Sequence, residues 1–448
     1  MRFLLLSLLV FGLVGQWVTG APTRIQKRTF KVERVRNQYF KGRHGPKELF
    51  KAYRKYHMPL PPALLEALRN QTNRDPSAST AAVEDVQTKW EGQNRGRPQP
   101  QALHPPGFPE AQPEPATSQA TGSVAAIPEG NDIEYLAPVD IGGQTLNLDF
   151  DTGSSDLWVF STELSRNEAG RHQVFNPQQS VSFQTLRGHT FSIQYGDGSG
   201  ASGVVGLDVV NIGGVMVDQQ AVELATKVSQ SFVDDVENNG LLGLAFSQLN
   251  TVTPTKQKTF FENVLPSLAE PLFTADLRHD APGAYEFGRI DASKFVGDLA
   301  WIPVNKTRGF WQFSTSSFGV DTGSGLALQT TPTGQAIADT GTTLMVVSQE
   351  ISDGYYSKVP GARNDDGIGG MTFPCDTPLP DLFVDVGGVY TARVKGEDIN
   401  FSRVQGNTCF GGVQPTTGDL QIWGDVFFKS QFVAFNGGNN TLGMAQHA

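Results

Sequence analysis

The chain has 448 residues, too many for one ordinary core, so at least two domains or disposable segments are expected. Its net charge of −10 hides a split: residues 21–118 hold 17 Lys and Arg against 9 Asp and Glu, whereas residues 119–448 hold 17 against 36. A basic segment lying on an acidic body fits that split, and nucleic acid is excluded as a partner of the body because its phosphates would be repelled.

In chain order, Arg2 precedes the apolar run "FLLLSLLVFGLV" and the small residues around Gly20 and Ala21. That pattern predicts a signal peptide over 1–20 and an exported, extracellular product. No later stretch is long and apolar enough to span a membrane, and "GMAQHA" at the end is neither a hydrophobic tail nor a retention signal, so no membrane partner is expected. Residues 22–69 join basic clusters to helix-like patterning in "KELFKAYRKYHMP" and "PALLEALRN". From about Asp75 to Gly130 the chain turns to Pro, Gln, Ala, Ser and Thr, a composition that buries too little apolar surface to offset its ordering entropy.

After Asn131, short alternating segments such as "TLNLDFD", "TFSIQYGD" and "FVAFN" are separated by Gly, Asn and Asp turns. The pattern predicts an all-β body, and its length predicts two β lobes. A weak internal repeat agrees. Asp151 is followed 92 residues later by Gly243 in "NGLLGLAF", and Asp339 is followed 85 residues later by Gly424 in "QIWGDVFF".

Asp-Thr-Gly occurs three times, at Asp151, Asp321 and Asp339. A buried Asp is costly unless its charge is hydrogen-bonded. In such a triplet, glycine (Gly153, Gly341) lets the backbone approach and offer an N–H, while the Thr hydroxyl ties the loop down. Two facing loops would place two carboxyls so close that they share one proton. An ionised Asp could then activate water while its protonated partner polarises a carbonyl, which is acid–base hydrolysis of an amide, without a metal or other cofactor. Context selects the pair. Asp151 is followed by the hydroxyls Ser154 and Ser155 and then "LWVF", and Asp339 by Thr342 and Thr343 and then "LMVV". Asp321 is followed by Ser324 and Gly325, which reads as an ordinary turn.

The two cysteines, Cys375 and Cys409, read as one disulfide in an oxidising compartment, or else as two free thiols. Asn305, Asn400 and Asn439, together with Asn70 nearer the N-terminus, sit in Asn-x-Ser/Thr sequons and are glycosylation candidates. The body's histidines, His172, His189, His279 and His447, fall in no catalytic motif.

Together "EYLAPVDIGGQTLNLDFDTGSSDLWVF", "IQYGDGSGASG", "NGLLGLAF", "IADTGTTLM" and "WGDVFFKSQFVAFN" resemble the pepsin-type (family A1) aspartic endopeptidases, most closely the secreted fungal branch. The resemblance runs from about Asp132 to the C-terminus. It implies a bilobal pepsin-like fold with a cleft between an N-lobe of about 132–310 and a C-lobe of about 311–448. It further implies a monomeric enzyme that cuts internal peptide bonds of proteins at acid pH, with Asp151 and Asp339 as its catalytic dyad. Ser154 and Thr342 are similar to the family's outer hydroxyls, and Thr152 and Thr340 to the residues that cross-brace the two loops. "QYGDGSG", with Tyr195, Gly196 and Asp197, resembles the mobile flap, and Tyr195 would reach Trp158. Asp197 reads as a selector of a basic side chain before the cut bond, or as a turn aspartate. Phe232 and Leu241 read as pocket walls or as core. Residues 21–120 resemble an inhibitory propeptide that ends in an added low-complexity linker, with Lys55 in "AYRKYHMPL" as the group that would reach the aspartates. An inactive pepsin-fold binding protein is the alternative.

Overall fold

A computed structural model describes residues 44–74, 120–129, 134–195, 199–323 and 325–448. The expected signal peptide, most of the low-complexity stretch, and Gly196 and Asp197 lie outside the described residues.

The body is built of β-sheet, and the internal repeat seen in the sequence is a repeat of topology. Strand Gln144–Asp151 runs parallel to Gly240–Gly243, with Asp151 beside Gly243, and Leu157–Val159 pairs antiparallel on the far side of Gly240–Gly243. The second half matches it. Leu328–Ala338 runs parallel to Leu420–Trp423, with Ala338 beside Trp423, and Met345–Val347 pairs antiparallel beyond. Each aspartate loop thus connects two strands that are held apart by a third. That third strand comes from more than 80 residues later, as parallel pairing over a long connection allows.

The first motif lies in a 13-stranded sheet and the second in a seven-stranded one. The large sheet is not confined to the first half of the chain. Strands Gln431–Asn436 and Thr441–Gln446 return to it, with Val433 beside Ala275 on Leu272–Arg278. Continuity of the core follows: aromatic rings from both halves, Phe273, Trp311 and Phe435, pack with centroids 4.6–6.2 Å apart. A four-stranded sheet at the edge carries the Cys375–Cys409 disulfide, which settles the choice left open between a bridge and free thiols.

Among the described residues two helices precede the sheets, α1 (Gly45–Lys55) and α2 (Pro62–Arg74). The sequence begins α1 with His44 accepting from Lys47 N–H and with Pro46 in the first turn. It ends where His57 takes a left-handed φ of 54°. There Met58 N–H reaches Tyr53 C=O at 2.8 Å and His57 N–H reaches Arg54 C=O at 3.0 Å, a Schellman closure with His in the usual glycine position. Leu49, Ala52 and Tyr53 recur at helical spacing and bury, with Met58, Leu64 and Leu68, against Ile337, Leu344, Phe410 and Ile422. The apolar face of α1 therefore fixes where its last residue, Lys55, can point.

Candidate active site

The two aspartate loops meet at the middle of the body. Thr152 N–H donates to Thr340 Oγ1 at 3.1 Å and Thr340 N–H to Thr152 Oγ1 at 3.0 Å. Each hydroxyl then donates across the gap, Thr152 to Ala338 C=O at 2.8 Å and Thr340 to Phe150 C=O at 2.5 Å. All four groups are buried, where each bond is protected from water. Gly153 N–H donates to Asp151 Oδ1 at 2.8 Å, and Gly341 N–H to Asp339 Oδ1 at 3.1 Å. Glycine is required at both points, because a methyl on Gly153 would overlap the Asp339 carboxylate and one on Gly341 would overlap that of Asp151.

The loops differ in their hydroxyl pairs. Thr342 donates to Asp339 Oδ2, whereas among the described residues Ser154 Oγ and Asp151 Oδ2 are both buried without a hydrogen-bond partner. Ser155 donates instead to Phe246 C=O at 2.7 Å, which anchors the loop from behind. Asp321 is elsewhere, half-exposed at the end of strand Gln312–Asp321, where it accepts from Gly323 N–H at 2.8 Å in a turn.

Lys55 enters between the carboxylates. Its Nζ lies 2.8 Å from Asp151 Oδ1, 3.1 Å from both oxygens of Asp339, and 3.1 Å from Gly341 C=O. Burial alone would lower the lysine's pKa, but the charges of Asp151 and Asp339 overcome it and hold the ammonium above its ordinary range. The two carboxyls are pushed apart. Burial would raise Asp339, yet Lys55, with hydrogen bonds from Thr342 and Tyr56, brings it below the ordinary range. For Asp151 burial prevails, with Asp339's charge adding to it against Lys55, and its carboxyl is raised.

Three contributors escape a reading of motifs. Tyr56 donates to Asp339 Oδ2 at 2.5 Å, and only its place next to Lys55 hints at it. Asp149, two residues before Asp151 on one strand and so on the same face, is buried, and burial with Asp151's charge pushes its carboxyl well up. Asn250 bridges two buried carboxyls behind the first loop, Asp156 at 2.8 Å and Glu223 at 3.1 Å.

Beside the dyad a cleft of about 300 Å³ remains, lined by Tyr56, Gly153, Ile193, Tyr195, Phe310 and Leu420 among others. The Trp158 indole N–H donates to Tyr195 Oη at 3.0 Å. Phe232 packs on both rings, 4.9 Å from Trp158 and 5.7 Å from Tyr195, and Leu241 is buried in the same cluster. Asn70, Asn305, Asn400 and Asn439 are all exposed. Among the described residues no group of three or more His, Cys, Asp or Glu is placed to hold a metal, and no helix is long and apolar enough to cross a membrane.

Residues 134–447 match the family model for eukaryotic aspartyl protease. The chain is 49 % identical over 335 residues to aspartic protease PEP3 of Coccidioides posadasii, covering 73 % of this chain and 76 % of that one. It is 50 % identical over 336 residues to aspergillopepsin-1 of Aspergillus oryzae, covering 74 % and 81 %. With aspergillopepsin-1 of Aspergillus pseudoglaucus it shares 41 % identity over 432 residues, 96 % of each chain.

Proposed function

The chain belongs to the eukaryotic aspartyl proteases, and on that footing we propose that Asp151 and Asp339 form its catalytic dyad and that the segment containing Lys55 is its own inhibitor. The protein is a pepsin-type aspartic endopeptidase with the all-β bilobal fold of that family, and its substrates are proteins. The observation that supports the dyad is the crossed set of Thr152 and Thr340 hydrogen bonds, which holds two carboxyl loops face to face.

With Lys55 withdrawn, the pair shares one proton. The ionised member takes a proton from a water as its oxygen attacks the peptide carbonyl, and the protonated member donates to the carbonyl oxygen. Collapse of the tetrahedral intermediate, with proton transfer to the nitrogen, breaks the C–N bond without a covalent enzyme intermediate. Tyr195 and its neighbouring residues close over the substrate, and Phe232 and Leu241 wall the pocket for the side chain before the cut bond. The first twenty residues are a signal peptide, the enzyme is exported as a monomeric zymogen, and it acts in acid.

Residues 44–74 belong to the propeptide, and Lys55 occupies the dyad as a substrate-excluding cation. The mature enzyme begins between Ala116 and Ser123. The test is cleavage of a denatured protein in acid by the purified, activated enzyme. Asp339→Asn is expected to lower kcat by about 10⁴-fold, while Asp321→Asn keeps nearly full activity. The reverse result would overturn the assignment.

A further inference from the structure

His172 belongs to no catalytic motif, yet it is 8 % exposed and tightly engaged. It lies just after the short helix Arg166–Ala169, and its ring stacks on Phe160 with centroids 3.8 Å apart and planes 11° apart. Nδ1 lies 2.8 Å from Asn238 C=O, and Nε2 lies 3.1 Å from Val233 C=O. A carbonyl oxygen only accepts, so both bonds form together only when each ring nitrogen carries a proton.

Both carbonyls belong to the segment that positions Phe232. Val233 follows Phe232 in the helix Gln230–Asp234, and Asn238 precedes strand Gly240–Gly243, which carries Leu241. That helix has five residues, none of them buried, and no side-chain cap at its N-terminus. So short a helix is not stable by itself, and apart from the packing of Phe232 on Trp158 and Tyr195 it relies on contacts to its backbone for its place. Asp235, at the end of the helix, is a titratable group near the imidazole whose carboxyl burial raises, and Asn238 is held in turn by donating to Glu134 at 2.5 Å.

We infer that His172 is a positioning residue for substrate selection. Its ring, stacked on Phe160 with its nitrogens against the Val233 and Asn238 carbonyls, pins that backbone and thereby fixes Phe232 as a wall for a large apolar side chain just before the cut bond. The inference rests on the reading of Phe232 and Leu241 as pocket walls. It adds a specificity element one layer behind that pocket.

Two fluorogenic peptides that differ only in Phe or Ala before the scissile bond test it, used with activated enzyme whose active sites are counted with a pepstatin-type inhibitor. His172→Phe can still stack on Phe160 but donates nothing. Its Phe-over-Ala preference in kcat/KM is expected to fall about tenfold, through KM for the Phe peptide. His172→Gln keeps a donor and should recover part of that loss, and it reads the same ratio should the Phe variant fail to fold. Phe232→Ala is the reference. If its preference falls while that of both His172 variants stays at the wild-type value, the inference is overturned and the pocket reading stands. If the preference survives in Phe232→Ala as well, the pocket reading has failed. A purely structural histidine would lower thermal stability and the count of active sites without moving the ratio.

Discussion

Thr340 takes part in three of the bonds between the aspartate loops: its hydroxyl accepts from Thr152 N–H and donates to Phe150 C=O, and its own N–H donates to Thr152. Thr340→Val keeps the shape but leaves Thr152 N–H and Phe150 C=O without that hydroxyl in a dry site. The expected cost is about 2–3 kcal/mol of stability with a fall in kcat, while Thr340→Ser stays near wild type. Urea unfolding and initial rates check both, and equal stability of the Val and Ser variants would contradict the role. The same scale explains why one triplet of three lies apart. Asp321 has the letters, but its carboxylate satisfies a turn N–H at a half-exposed strand end.

At the scale of elements, α1 is a lever whose apolar face sets the position of Lys55. On the proposed inhibitory role of this segment, the signs of the ionisations decide how acid would release it. Asp339 is held below the ordinary carboxylate range, so its share of the docking is present above about pH 4 and is lost as pH falls through the lowered value. Asp151 is raised and works the other way, since its burial is favoured once it is protonated. Lys55 is raised, and its share is lost only in alkali. On that proposal, release in acid follows the Asp339 pair. Lys55→Met removes the pair at every pH and leaves two buried carboxyls without a cation, which weakens docking by about 3–5 kcal/mol. The uncut chain should then cleave a fluorogenic peptide at about pH 6, where the unmodified chain is expected to be latent. Equal latency of the two would overturn the inhibitory role. The Cys375–Cys409 bridge, closing 34 residues, acts on a different element. Replacing both by Ser is expected to cost about 3–4 kcal/mol in thermal unfolding, with kcat preserved because neither cysteine belongs to the aspartate loops or the cleft lining.

For the molecule as a whole, the chain's end is clamped to its middle. Asp276 on Leu272–Arg278 is met by Arg278 at 2.5 Å, Lys294 at 2.9 Å and His447 at 3.2 Å. Burial would raise its carboxyl, but His447, Lys294 and Arg278 bring it down to about 2. Its stabilisation is therefore complete above about pH 4 and disappears only as pH falls through about 2, which leaves part of the clamp intact in moderate acid. Arg278 and Lys294 are partly exposed, and solvent screening limits the effect to about 1–2 kcal/mol. Asp276→Asn should show that loss by urea unfolding at about pH 6 and a smaller one at about pH 2. A loss that is the same at both pH values would contradict the ionic origin.

Much of this was legible in the order of residues, and the reason is local chemistry. Alternating apolar strands with Gly and Asn turns specify β-sheet, and a hydroxyl pair with an apolar strand after Asp-Thr-Gly separates Asp151 and Asp339 from Asp321. Two cysteines in an oxidising setting have only each other, and "KAYRKYHMP" carries its helical face and its terminal lysine together. What stayed hidden depends on partners far apart in the chain. Tyr56 on Asp339, Asn250 between Asp156 and Glu223, and His172 on Val233 and Asn238 are set by tertiary approach across tens to hundreds of residues. The return of the last two strands to the first sheet is of the same kind. The sequence by itself determined the family, the sheet-forming segments and the candidate catalytic loops, because backbone preference and side-chain chemistry act within a few residues. Only the tertiary structure decided which carboxyl is lowered and which raised, because burial and the position of one ammonium between two loops exist only in the folded chain.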